Sequence, residues 1–205
     1  MSRGDTPVYE KSVFINCPFD PQYRDLMLAI VFTVRAHRLT PRSARGTEGA
    51  AEPRFSRILQ TISESKYSIH DLSRFTGEGS DNLARFNMPL ELGMAAAFQF
   101  ERRGSARPHY WLALVPEGFG YQRFISDLAG FDPARHDQSV PSVIREVCVW
   151  LRDREDVEEA VPTAVRIHER FDLFKEQVAT LRAEALEEET WWDLVTAAER
   201  TVPKE

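Results

Sequence analysis

Short β-branched and aromatic runs alternate with longer apolar segments from Ser12 to Leu151, and no other feature constrains the fold as much. Ser12–Asn16 (SVFIN), stopped by Pro18, reads as a buried first strand. The apolar stretch Leu26–Val34 is ambiguous by periodicity, but its span with flanks, from Tyr23 to His37, favours a buried helix. A weak strand follows near Leu39–Ala44, and Pro53 then opens a helix with Phe55, Ile58, Leu59 and Ile62 on one face. Tyr67–Leu72 is the next strand, and Gly77, Gly79, Ser80, Asp81 and Asn82 mark a polar loop. Pro89 opens a second apolar helix running from Leu90 towards Phe100. His109–Val115, ended by Pro116 and Gly118, is the clearest strand, and a helix through Val143, Val147, Cys148 and Leu151 closes the series. This order predicts an α/β fold with a parallel sheet covered on both faces. Ligands of such sheets sit beyond the carboxyl ends of the strands. That rule selects Asn16–Tyr23, Asp71–Met88 and the segment after Val115.

Charge divides the chain in two. Residues 152–205 hold 15 acidic and 8 basic side chains, while the preceding 151 residues hold 17 acidic and 18 basic. The expected organisation is an α/β domain over 1–155 and an acidic helical extension over 156–205. In the extension, Ile167, Phe171, Phe174, Val178, Leu181 and Ala185 follow a heptad spacing, which fits either packing on the chain's own domain or homo-oligomerisation through 164–186. Adjacent Trp191 and Trp192 imply that this end buries against something. The net charge of −6 argues against bulk nucleic-acid binding. Two cysteines, Cys17 and Cys148, make no disulfide framework, and no metal-ligand spacing joins them to the five histidines. With no signal-peptide core and no membrane-length apolar run, a cytoplasmic protein without a membrane partner is expected.

Three polar stretches converge on the selected edge: Asn16–Asp20 with Tyr23, His70–Arg74, and Arg85–Gly93. Glu91 is the sharpest candidate. With Pro89 as the first helical residue, Glu91 would lie in the first turn, where the helix dipole favours its anion. Such a carboxylate can stabilise or attack a sugar cation, although a capping box uses the same position. Asp71 could accept from ribose hydroxyls or serve as a turn residue, and Arg74 and Arg85 could clamp a phosphate or remain solvated. His70 reads as a satisfied strand histidine. Arg35, Arg38, Arg42, Arg45, Arg54 and Arg57 form a local basic stretch. The Gly-rich dinucleotide fingerprint and the phosphate loop are both absent.

Together the stretches resemble the nucleoside 2-deoxyribosyltransferases. Val13–Phe19 (VFINCPF) is similar to that family's first strand and turn, Tyr67–Ser73 (YSIHDLS) to its third strand, and Pro89–Ala95 (PLELGMA) to the helix bearing its nucleophilic glutamate. TIR-like domains share the same flavodoxin-like core and helix-borne glutamate. Many of them cleave NAD in bacterial antiphage defence. The likeness spans about residues 12–140 and none of the extension.

The resemblance implies a flavodoxin-like three-layer parallel sheet with Glu91 as nucleophile or cation stabiliser. It also implies Asp71, Ser73, Arg74, Arg85, Asn87 and the Asn16–Asp20 turn, with Phe19, as substrate contacts. Asn16 and Cys17 stand where the transferases carry a small Ala-Gly pair, which favours N-glycoside cleavage over free-nucleoside transfer. The transferases' second aspartate ahead of the glutamate has no secure counterpart here, Asp81 and Asn87 being the candidate substitutes.

The expected function is therefore an N-glycosidase cleaving the base–ribose bond of NAD or a related nucleotide, with no cofactor and NAD as substrate. The alternatives are a non-catalytic nucleotide-binding or assembly module and a nucleoside deoxyribosyltransferase.

Overall fold

The computed structural model describes residues 8–45, 53–74, 86–118, 120–123, 125–154, 157, 161–184 and 189–203. Five parallel strands form one sheet: β1 (Ser12–Asn16), β2 (Thr40–Arg42), β3 (Tyr67–Asp71), β4 (Tyr110–Pro116) and β5 (Ala134–His136), in the order β2-β1-β3-β4-β5. This is the flavodoxin-like doubly wound order, in which the chain reverses direction across the sheet between β1 and β3. Register places Asn16 beside His70 at that switch point, and Asp71 beside Leu114.

Helices α1 (Arg24–Ala36) and α4 (Val140–Arg152) cover one face, and α2 (Arg54–Ser63) and α3 (Asn87–Glu101) cover the other. The two-residue period of the strands sorts their side chains. Val13, Ile15, Tyr67, Ile69, Leu112 and Leu114 pack with α1 and α4, whereas Phe14 packs with Ile58, Ile62 and Ala95 of α2 and α3. On α2 the buried stripe runs through Ile58, Thr61 and Ile62. Phe55 and Leu59, expected on the same face, lie on its exposed flank.

Helices α5 (Ala164–Glu184) and α6 (Trp191–Thr201) pack outside α1 and α4. This explains the ambiguous periodicity of α1. Sandwiched between sheet and outer helices, it buries every residue from Leu26 to Val34, and a helix apolar all round is a buried one. The heptad positions Ile167, Phe171, Phe174 and Val178 are all buried in the chain's own core. Phe174 stacks on Phe32 with centroids 4.8 Å apart and planes 6° from parallel. These four positions are therefore filled within one chain, as packing on the chain's own domain requires, while Ala185 lies outside the described residues.

Trp191 is buried and its indole N–H donates to the Pro41 carbonyl of edge strand β2 (3.0 Å), while Trp192 is partly exposed. A capping box of Thr190 and Asp193 starts α6 at this anchor. The acidic extension also docks by charge, through Glu189 to Arg24, Glu199 to Arg35 (3.2 Å) and Lys175 to Asp25 (2.6 Å). Arg42 pairs with Glu64 instead, so the arginine stretch is divided among separate partners. No helix among the described residues is long and apolar enough to cross a membrane.

Candidate functional site

The carboxyl ends of β1 and β3 gather most of the expected residues. Asn16, last in β1, is buried, and its amide nitrogen reaches His70 Nδ1 and the Met88 carbonyl, both at 3.0 Å. His70 Nε2 then meets Ser68 Oγ (2.9 Å), Ser68 Oγ meets His109 Nε2 (3.0 Å), and His109 Nδ1 meets the Ser65 carbonyl (2.8 Å). A carbonyl only accepts, so the direction of the whole chain is fixed from its far end. His109 carries its proton on Nδ1 and accepts from Ser68, which accepts from the Nε2–H of His70. His70 Nδ1 must then accept from Asn16.

Both amide hydrogens of Asn16 are thereby committed, and its buried Oδ1 has no partner among the described residues. Burial pushes His70 down to about 3 and His109 to about 4, so both rings are neutral. This relay runs under α3, ties its first turn to β1, and gives His70 the structural role expected of it.

Asp71, at the end of β3, turns to the other face and is fully buried. Its Oδ1 accepts the Ser73 N–H (2.8 Å), and its Oδ2 lies 3.1 Å from His136 Nε2, close but poorly aligned for a hydrogen bond. The Gln138 N–H donates to His136 Nδ1 (3.2 Å), which puts the ring proton on Nε2, also 3.3 Å from Ser73 Oγ. Tyr23, at the start of α1, has its phenol pushed well up by burial and by the Asp71 charge beside it. Asp71 and Ser73 thus form a turn locked against β5.

Glu91 sits differently from expectation. Helix α3 begins at Asn87, two residues before Pro89, because a proline in the first turn displaces no intrahelical N–H donor. Glu91 is consequently in the second turn, out of reach of the N-terminal N–H groups. Its side chain is 6% exposed and makes no hydrogen bond among the described residues. Burial raises its pKa to about 7, with the Arg54 charge opposing. The dipole-stabilised anion is therefore replaced by an acid poised between its two states at neutral pH. Burial raises the pKa of the Cys17 thiol well above its ordinary value, and the charges of Asp71, Glu91 and Asp20 push it the same way.

The remaining residues divide. Arg74 is engaged by Asp20 through two hydrogen bonds, Nε to Oδ2 (3.1 Å) and Nη2 to Oδ1 (2.9 Å). This fork joins the β1 and β3 loops across the switch point instead of facing the cleft as a clamp. Phe19 packs edge-on against Trp191 and under the Arg45 guanidinium. Asn87 is exposed at the start of α3. Arg85 and Asp81 lie outside the described residues.

Sequence reasoning missed His136 and the partnership of Ser68 with His109. The available signal was Ser68 alternating with His70 inside a strand of apolar and aromatic neighbours. No group of three or more His, Cys, Asp or Glu among the described residues is placed to hold a metal. No protein-family model matches the chain, and neither does any curated protein sequence.

Proposed function

We propose that the chain is an N-glycosidase acting on NAD or a related nucleotide, with Glu91 opposing the positive charge that develops on the ribosyl carbon. The observation that carries this reading is Glu91 itself. It is a buried residue with a raised pKa and no hydrogen bond among the described residues, a combination enriched at functional sites. It stands at the carboxyl edge of the β1/β3 switch point, where ligands of this architecture bind.

In the proposed reaction the glycosidic bond breaks with its electron pair going to the departing ring nitrogen. A pyridinium leaving group becomes neutral as it leaves and needs no general acid. The Glu91 anion stabilises the ribosyl cation, and water then attacks the anomeric carbon and yields its proton to Glu91. The unpartnered Asn16 Oδ1, held in place by the relay, offers an acceptor to a substrate hydroxyl or amide. A cation entering this site favours ionised Glu91, so substrate binding near pH 7 releases a proton.

Incubation with NAD, NADP, nucleosides and nucleotides, with released base read by chromatography, tests the proposal on wild type and Glu91→Gln. Loss of at least about a hundredfold in turnover is expected. A folded E91Q protein that releases base at the wild-type rate removes Glu91 from the reaction. Binding of nucleotides without turnover in the wild type would favour the non-catalytic module.

A further inference from the structure

A recess opens beside the Asn16–Tyr23 turn. It is a cleft of about 230 Å³ lined by Phe19, Asp20, Arg24, Arg45, Arg182 and Glu189, among others. Arg24 comes from the start of α1, Arg45 from the chain after β2, and Arg182 from α5, so three separate elements each aim a guanidinium at one space. Asp20 is engaged by Arg74. Glu189 pairs with Arg24, and its carboxylate also lies 3.8 Å from Arg182 Nε while its side chain is only 8% exposed. Arg45 stacks on Phe19 (5.0 Å) and has no carboxylate partner among the described residues. Among the described residues, the three guanidinium groups of the cleft therefore share one carboxylate that Arg74 does not hold, that of Glu189.

We propose that this cleft binds a phosphate or diphosphate group, and that the carboxylate of Glu189 holds the place of that anion in the unliganded chain. Planar guanidinium forks suit both carboxylate and phosphate oxygens, and the excess of guanidinium over carboxylate groups among the described lining residues favours a phosphate. The cleft is smaller than the roughly 300–1,000 Å³ of sites that enclose whole small molecules, which fits one anionic group rather than a complete nucleotide. Exchange of the occupant frees Glu189, which immediately precedes the Thr190 cap of α6, so anion binding reaches the junction of α5 and α6.

The inference deepens the proposed function by giving the anionic part of a nucleotide a seat beside the Asn16–Asp20 turn. It is separable from that function, because diphosphate carries no glycosidic bond.

Titration calorimetry of the full chain with inorganic diphosphate, at fixed ionic strength, tests it on wild type, Arg45→Gln, Glu189→Gln and Arg166→Gln. Arg166 is exposed on α5 and controls for net charge. R45Q should weaken binding by about tenfold or more, E189Q should tighten it by about tenfold, and R166Q should stay within about twofold of wild type. Circular dichroism confirms that each variant is folded. Equal weakening by R45Q and R166Q, or no binding by both wild type and E189Q, overturns the anion site. An affinity unchanged in E189Q overturns the exchange with Glu189.

Discussion

On the α1 face of the sheet, strand residues Val13, Ile15, Tyr67 and Ile69 meet α1, buried from Leu26 to Val34, and the buried side of α4, and the outer helices α5 and α6 add a further buried layer. One residue along each strand, on the α3 face, stand Asn16, Ser68 and His70, which with His109 form a hydrogen-bonded relay between the Met88 and Ser65 carbonyls and leave Asn16 Oδ1 without a partner among the described residues. The first face is held by burial, which tolerates no loss of volume. The second adds to the packing of Phe14, Ile58, Ile62 and Ala95 a set of directional hydrogen bonds, which tolerate no loss of a partner. Glu91 lies on the second side, buried and without a hydrogen bond among the described residues.

The contrast breaks most sharply at Phe174. Replacing it with alanine opens the layer between α1 and α5 and should cost about 4 kcal/mol in denaturant unfolding. A cost below about 1 kcal/mol would mean that the extension adds little to the core.

Glu91 should behave in the opposite sense. Its folded-state value near 7 exceeds the ordinary 4.5, so the native state holds the proton more tightly and stability falls as pH rises from 4.5 to 7. E91Q should therefore be more stable than wild type by roughly 3 kcal/mol at pH 8, and about equal to it at pH 4. Unfolding curves at both values check this, and a variant less stable at pH 8 contradicts the account.

Ser68→Ala leaves His70 Nε2–H and His109 Nε2 without their shared partner, at a cost of about 2 kcal/mol. The histidines give a pH trend of their own. Their folded values, about 3 and about 4, lie below the ordinary 6.5, so the unfolded state binds protons more tightly. Stability falls as pH drops from 6.5 through those values, by up to about 1.4 kcal/mol per pH unit for each ring. Chemical denaturation of E91Q between pH 5 and 6.5 isolates this trend from that of Glu91, and a flat profile would mean that the rings are not buried neutral.

The smallest effect is expected for Trp191→Phe, which keeps the aromatic packing but leaves the Pro41 carbonyl without its indole donor. About 1 kcal/mol should be lost.

Much of this contrast was legible in the residues. β1, β3 and β4 declared themselves as apolar runs, and the heptad spacing of Ile167, Phe171, Phe174 and Val178 correctly marked a helix with one buried seam. What fills that seam was not legible, since spacing alone does not distinguish α1 of the same chain from another copy. β5 escaped because Ala134–His136 is three residues long with arginine at its centre, and with it went the Asp71–His136 contact, which exists only through strand pairing. The start of α3 was misplaced because proline fits the third helical position as well as the first, and two residues moved Glu91 from a dipole-stabilised turn to a desolvated one. The relay needed register: His70 lies beside Asn16, and Ser68 is 41 residues from His109.

The central claim is that the partnerless acid on α3 is the reactive group, and the pH dependence of NAD cleavage tests it most directly. Wild-type base release should rise with pH and level off through about 7, following ionisation of Glu91, whereas E91Q should lose both the activity and that limb. Base release by E91Q at the wild-type rate, with the same pH profile, would contradict it.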